Sequence, residues 1–260
     1  MLCLTNSLIA NNYNKQDMKT ELCAYSVEAC RIAQRLGVNR VELCASPAEG
    51  GVTPSVATIE QVSKIPNLDL SVMIRPRGGD FLYSDEEFET MLLDIEYARK
   101  AGATGVVFGI LTADGQVDVE RTKRLVEASK GMETTFHRAV DMTADYLKAV
   151  EDIIEAGCTR ILTSGSFDKA IDGIENIARA VEISRGRIEI MAGSGVVASN
   201  AEALKGIGVD ALHFSAKKMI PGGMQYRNPR ISMGGSSAVD EYALRTVDEN
   251  EVKEILKLIR

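Results

Sequence analysis

The tetrapeptide Glu-Leu-Cys-Ala occurs twice near the start of the chain, at residues 21–24 and 42–45. Each copy lies in a short apolar segment typical of a strand, so Cys23 and Cys44 would share one side of a sheet if the two strands are neighbours. Two thiolates suit Cu(I), and Met191 could add a third sulfur. Cysteine is also a small residue that is often buried without a chemical role, so an inert pair is the alternative.

The chain has only two histidines, His137 and His213, and both fall at the predicted ends of strands. Histidine is the usual general acid or base near neutral pH, and Glu42 is a suitable partner for proton transfer. The same three side chains could instead hold a divalent metal ion. The sequence therefore leaves a catalytic, a metal-binding and a structural role open for Glu42, His137 and His213.

A third group of residues suits an anionic ligand. Arginine forks match carboxylate or phosphate, and bare backbone N–H groups at the start of a helix attract anions. The predicted anion-binding residues are Arg75, Arg77, Arg138, Gly193, Ser194, Gly195 and Ser215. Together with the two histidines they favour an enzyme that acts on a small anionic or phosphorylated substrate. The alternative is a scaffold in which these residues only form ion pairs, such as Glu42 with Arg75.

One repeated spacing indicates the elements that position these residues. A glycine ends an amphipathic helix and an apolar strand begins about four residues later, at Gly37, Gly102, Gly157 and Gly208. Glycine there supplies a left-handed helix cap. The intervals between these glycines are 65, 55 and 51 residues. They exceed a βα unit of roughly 30 residues, so each interval should hold a second strand.

Three such strands are recognisable, at Ser71–Arg75, Thr134–His137 and Arg187–Met191, and Glu21–Ala24 precedes them all. Eight strands that alternate with helices predict an α/β protein of one domain, a (β/α)8 TIM barrel over residues 18–260. An open, doubly wound sheet is the alternative. In a barrel, the carboxyl ends of the strands form the active-site face, which is where the candidate residues collect.

Two segments lie outside this pattern. Residues 1–17 are polar and predict a flexible tail, so translation could also begin at Met18. Residues 219–238 follow the eighth strand and are rich in glycine, including Gly222, Gly223, Gly234 and Gly235. This segment is predicted to be either a lid over the active-site face or a surface loop.

The composition narrows the classes of function. The 260 residues carry a formal net charge of −7, which argues against nucleic-acid binding because such domains usually present a basic face. No apolar run reaches the roughly 20 residues of a membrane span. The five cysteines are odd in number and include no Cys-x-x-Cys pair. They fit a reducing cytoplasm better than a disulfide framework.

The motifs resemble the CutC family of copper homeostasis proteins. The segments that carry the resemblance are residues 42–45, 49–54, 72–81, 105–109, 135–139, 161–165, 190–195, 213–216 and 232–235. The resemblance implies a cytoplasmic TIM barrel that forms a homo-oligomer, a dimer or a tetramer, and that handles copper. It implies no particular enzyme activity. The expected partners are thus a metal ion, with Cu(I) at Cys23 and Cys44, or a small anionic ligand.

Overall fold

The computed structural model describes residues 18–231 and 240–260. The predicted tail at residues 1–17 lies outside the described residues, and so do Gly234 and Gly235 of the predicted glycine-rich loop. Among the described residues, no helix combines the length and the apolar character that crossing a bilayer requires.

Eight parallel strands close into a barrel, because the eighth strand pairs with the first. The predicted TIM barrel is therefore confirmed, and the open doubly wound sheet is excluded. The strands are β1 Lys19–Ala24, β2 Arg40–Leu43, β3 Asp69–Met73, β4 Gly105–Phe108, β5 Glu133–Phe136, β6 Arg160–Thr163, β7 Glu189–Gly193 and β8 Ala211–Phe214.

Eight helices accompany the strands in the described residues. They are α1 Val27–Leu36, α2 Val56–Val62, α3 Asp85–Lys100, α4 Val119–Ala128, α5 Tyr146–Ala156, α6 Ile174–Ser184, α7 Ala198–Gly206 and α8 Glu249–Ile259. The four repeated glycines follow α1, α3, α5 and α7, and each has a positive φ. A side chain with a Cβ rarely adopts that conformation, which explains why glycine recurs at the turn from helix to strand.

The segment after β8 differs from the prediction. Residues 217–221 form a strand, β9 Lys217–Pro221, which pairs antiparallel with β10 Ala243–Val247. The predicted loop at 219–238 therefore begins inside a β-hairpin. Every residue of β9 is exposed, so the strand lacks the alternation of buried and exposed residues by which a sequence usually reveals one.

Alternate residues of each strand face two different environments. The outward side chains, such as Leu22, Val41 and Val72, pack with the helices in the main apolar cluster. The inward side chains form two smaller clusters. One holds Cys44, Met73 and Val107, with Cys23 and Tyr25 packed against it, and the other holds Leu162, Met191 and Ala211. The barrel interior is filled by side chains, as is usual for this fold.

Charged residues fill the interior at the amino-terminal ends of the strands. Arg160 is 1% exposed and donates to Glu189 Oε1 at 2.6 Å, to Glu133 and to Thr135. Arg40 is paired with Glu21 and with Glu189. Burying these charges is tolerable because each guanidinium meets carboxylates. The resulting charge layer lies beneath the candidate site.

Candidate functional site

Three side chains from adjacent strands converge near the carboxyl ends of the barrel. Cys23 on β1 is in register with Glu42 on β2, and β1 also pairs with β8, which carries His213. One ligand atom from each residue, a sulfur, a carboxylate oxygen and an imidazole nitrogen, lies within 4.8 Å of the other two. The parallel register produces this cluster, since the inward positions of neighbouring strands line up.

Cys44 directly follows β2 and joins this cluster from the next inward position. Its thiol lies 3.5 Å from Glu42 Oε2, and Cys23 packs against the interior cluster that holds Cys44. The structure thus brings Cys23 and Cys44 together, at the ends of neighbouring strands and on the same side. The cysteines Cys30 and Cys158 are also buried but belong to the main apolar cluster outside the barrel interior.

Glu21 orients the imidazole of His213. The two residues are in register on β1 and β8, and Glu21 Oε1 lies 2.7 Å from His213 Nδ1. Burial raises the pKa of Glu21, but Arg40 and His213 outweigh it and hold this pKa at about 2. The carboxylate is therefore ionised and accepts from Nδ1–H. That leaves Nε2 of His213 facing Glu42 Oε2, at 3.7 Å.

The side chains of the cluster shift one another's pKa values in opposite directions. The hydrogen bond from Cys44 is the largest influence on the pKa of Cys23. It opposes the effect of burial, and the pKa of Cys23 is well below its usual value. Burial disfavours charge on His213, yet Glu42, Cys23 and Glu21 together raise its pKa well above normal. Burial raises the pKa of Glu42. These directions favour a Cys23 thiolate beside a His213 imidazolium.

A cavity of about 280 Å³ opens next to the cluster. It is lined by Cys23, Glu42, Glu49, Gly50, Met73, Arg75, Phe81, His137, Arg138, Leu162 and His213. Three buried polar atoms on these residues, Glu42 Oε1, Arg75 Nε and His137 Nε2, have no hydrogen-bond partner within residues 18–231 and 240–260. Buried polar groups normally have partners, so these atoms mark where a ligand would bind.

His137 lies in this cavity but does not belong to the cluster of Cys23, Glu42 and His213. Its imidazole packs against Phe81, with the ring centroids 5.0 Å apart, and against Gly109, which directly follows β4. A Cβ at Gly109 would approach the imidazole to 2.5 Å, so glycine provides the space for His137. The two histidines line one cavity without forming a common metal site.

The three predicted arginines take separate positions. Arg75 lines the cavity and donates to the carbonyl oxygens of Glu49, Gly51 and Gly79 rather than pairing with Glu42. Arg138 also lines the cavity, and its Nε donates to Asp141 at 2.9 Å. Arg77 is not a lining residue.

The guanidinium of Arg77 is bound outside the cavity. It donates to Glu87 Oε1 at 2.6 Å and is paired with Asp80. The structure therefore does not bring Arg77 to the anion site that the sequence predicts, because local carboxylates hold it in its own loop.

The predicted glycine turn lies at a second cavity of about 590 Å³, lined in part by Ser194, Gly195 and Ser215. The helix start beside it is already occupied. The N–H of Ala198 donates to Glu251 at 2.7 Å, and the N–H of Val197 donates to Asn200. Gly193 serves packing, because a Cβ there would meet Leu162 at 2.4 Å. These contacts disfavour a phosphate at this turn.

The sequence analysis did not identify three residues of the site. Glu21 is the first residue of the tetrapeptide repeat and shares the side of β1 with Cys23, so strand parity could have identified it. Met73 packs with Cys44 in place of the predicted Met191, whose sulfur accepts from Arg40 in the other interior cluster. Tyr25, which hydrogen-bonds to Cys23, had no signal in the sequence.

Comparison with known proteins identifies relatives of this chain. A model of the CutC family matches residues 18–218. The chain belongs to the CutC family. A CutC family protein from Bacteroides fragilis is 48% identical over 241 residues, which cover 92% of this chain and 96% of that relative. The copper homeostasis protein cutC homolog of Homo sapiens is 42% identical over 234 residues, 90% of this chain and 86% of the human protein.

Solved structures extend the comparison to the fold. The crystal structure of a CutC protein from Streptococcus agalactiae is 35% identical, with a TM-score of 0.72, and the match covers 76% of this chain and 98% of that one. Thiamine phosphate pyrophosphorylase from Pyrococcus furiosus shares only the barrel fold, with 14% identity, a TM-score of 0.57 and coverage of 94% and 96%. This CutC family chain thus has a fold that unrelated enzymes also use.

Proposed function

We propose that this chain binds Cu(I) as its cargo, through the thiolates of Cys23 and Cys44 and the imidazole of His213. The observation that carries the proposal is the convergence of ligand atoms from Cys23, Glu42 and His213 within 4.8 Å, with Cys23 packed against the interior cluster that holds Cys44. The human and Streptococcus relatives are described as copper homeostasis proteins, which supports the same conclusion.

The donor set suits this ion. Soft thiolate and thioether ligands select Cu(I), and imidazole also binds copper. Metal ligands have to be deprotonated, and the lowered pKa of Cys23 already favours its thiolate. The hydrogen bond to Cys23 and burial raise the pKa of Cys44, so the proton of Cys44 would leave when the ion binds. Glu21 holds Nδ1 of His213, as an outer carboxylate holds many metal-bound histidines. The ion would displace the proton from Nε2 and would take the place of the hydrogen bond between the two cysteines.

A titration of the reduced protein with Cu(I) against a competing chelator tests the proposal. We expect tight binding in the wild type and its loss in the Cys23→Ser, Cys44→Ser double variant. The wild type and every variant should also carry Cys3→Ser, because Cys3 lies outside the described residues. The remaining thiols are then those whose positions are known. Undiminished affinity in the double variant would overturn the proposal.

Cys158→Ser is the matched control. Cys158 is buried like Cys44 but lies in the loop between α5 and β6, outside the barrel interior. Cys158 packs among apolar side chains outside the barrel interior, so its thiol does not reach the proposed copper ligands. We expect Cys158→Ser to bind Cu(I) as the wild type does.

We further propose that the chain acts in the cytoplasm as a homo-oligomer, a dimer or a tetramer. The four cysteines in the described part of the chain are free thiols, which suits a reducing compartment. Leu93 and Tyr97 lie four residues apart on α3, and both are about half exposed, so they form an apolar strip on one helix face. Light scattering of the wild type and of Leu93→Glu tests this, and a monomeric wild type would contradict it.

A further inference from the structure

His137 presents a buried donor to the cavity. The backbone N–H of Ala139 donates to His137 Nδ1 at 3.1 Å, so in the neutral ring the proton is on Nε2. Burial, with the charge of Arg75, lowers the pKa of His137 to about 3, and the ring is therefore neutral at pH 7. Its Nε2–H has no acceptor within the described residues. A buried donor without a partner costs about 1–3 kcal/mol, which an acceptor on a ligand would recover.

Arg75 adds a positive charge to the same wall. It is 6% exposed, and its hydrogen bonds go to carbonyl oxygens. In the described ranges no carboxylate lies within ion-pairing distance of it. Three carbonyl dipoles hold the guanidinium in place without neutralising its charge. A buried charge is costly when it lacks a counter-charge, so this wall of the cavity favours an anion.

We propose that the cavity binds a small organic carboxylate, with one carboxylate oxygen accepting from His137 Nε2–H beside Arg75. The remaining lining favours an organic ligand over an inorganic one, because Met73, Phe81 and Leu162 give apolar contact for carbon atoms. The volume of about 280 Å³ equals that of about nine water molecules at ~30 Å³ each. It accommodates an acid of a few carbon atoms.

This site is separate from the copper ligands in its key residues. His137 and Arg75 lie on the β5 and β3 sides of the cavity, whereas Cys23 and His213 lie on β1 and β8. Cys44 does not line the cavity. The carboxylate site and the copper site can therefore be tested by different variants, and either could fail without the other.

The two histidines make NMR a direct test. A protein labelled with ¹³C at the histidine ε1 carbon gives two imidazole signals, which His137→Gln assigns. We expect acetate, pyruvate or malonate to shift the His137 signal saturably, with inorganic phosphate as the comparison. A His137 signal that none of the three carboxylates moves would overturn the proposal. A shift with phosphate alone would overturn the organic class of the ligand.

Calorimetry on variants tests the role of the donor. His137→Phe keeps an aromatic ring but removes Nε2–H, and we expect it to lose carboxylate binding. His137→Gln can offer an amide N–H, and we expect it to retain binding. Thr90→Ala, on the exposed face of α3, should bind as the wild type does. Cys44→Ser should weaken Cu(I) binding but keep carboxylate binding, which separates failure of this proposal from failure of the copper proposal. Equal binding by His137→Phe and wild type would contradict the proposed role.

Discussion

Nδ1 of His213 lies 2.7 Å from Oε1 of Glu21 and donates to this fully buried carboxylate. Glu21 also forms a salt bridge with Arg40. Through Glu21, His213 is therefore connected to the charge layer at the amino-terminal ends of the strands. The contact with Glu21 fixes which nitrogen of His213 faces Glu42 and Cys23. The chemistry of the site therefore depends on a residue that does not itself contact the cavity.

We expect Glu21→Gln to weaken Cu(I) binding by about 10- to 100-fold, the usual effect of losing an outer-shell partner of a metal-bound histidine. The physical reason is that the amide removes the negative charge that holds Nδ1–H and orients the ring. Chelator competition gives the affinity. Glu28→Gln on the exposed face of α1 is the control. Wild-type affinity in Glu21→Gln would show that His213 does not depend on this contact.

We expect His137 to make the protein less stable in acid. In the folded state its pKa is about 3, because of burial and Arg75, whereas the unfolded chain binds this proton near pH 6.5. Between these values the unfolded state holds the extra proton, so the free energy of unfolding falls by up to about 1.4 kcal/mol per pH unit as the pH decreases.

Urea unfolding of wild type and His137→Phe at several pH values between 7.5 and 4.5 measures this effect. The difference between the two proteins isolates the one titration, because other acid-sensitive groups such as Glu21 are common to both. We expect the wild type to lose more stability than the variant as the pH falls. Parallel curves would contradict the buried, neutral state of His137.

We expect Arg160→Met to lower the free energy of unfolding by about 1–3 kcal/mol, because it leaves the largely buried Glu189 without one of its two arginine partners. Arg160 is almost fully buried between Glu133 and Glu189. Arg187→Met is the matched control, since Arg187 pairs with Glu151 at the exposed surface and such pairs contribute little. Similar losses in both variants would argue against a structural role for the charge layer.

We expect Met191→Leu to leave Cu(I) affinity unchanged, because the Met191 sulfur accepts from Arg40 at 3.5 Å and packs with Leu162 and Ala211. Met73→Leu removes instead the thioether that packs with Cys44, and we expect a weaker Cu(I) complex. Both substitutions conserve volume and should cost less than about 1.5 kcal/mol of stability. A loss confined to Met191→Leu would reverse this assignment.

The fold could be predicted because its signals are local. The four glycines with positive φ end helices, and the capping box of Ser84 and Glu87 is present at the start of α3. The hairpin of β9 and β10 could not be predicted, because its first strand is exposed on both faces and its partner lies more than 20 residues further along the chain. Such a pairing depends on contacts between distant residues.

The site could be predicted only in part, for a similar reason. Strand parity predicted that Cys23 and Cys44 share one side, and the ends of the strands suggested Glu42 and His213. The register of the closed barrel brings the strands that carry them together. The position of an arginine after a strand did not determine what it binds. Arg77 is held by Glu87, which belongs to α3, and the helix start near Gly195 is held by Glu251 of α8. Glu251 lies 53 residues from Ala198. Glu87 lies only 10 residues from Arg77, but the path of the loop between them decides whether they meet.

The charge layer at the amino-terminal ends of the strands also determines from which side ligands can reach the barrel interior. Arg40 and Arg160 with their glutamates occupy the interior below Cys23 and His213. Two cavities reach these two residues, one beside His137 and one beside Ser194 and Ser215. A carboxylate bound beside His137 would therefore leave the second approach to the copper ligands open.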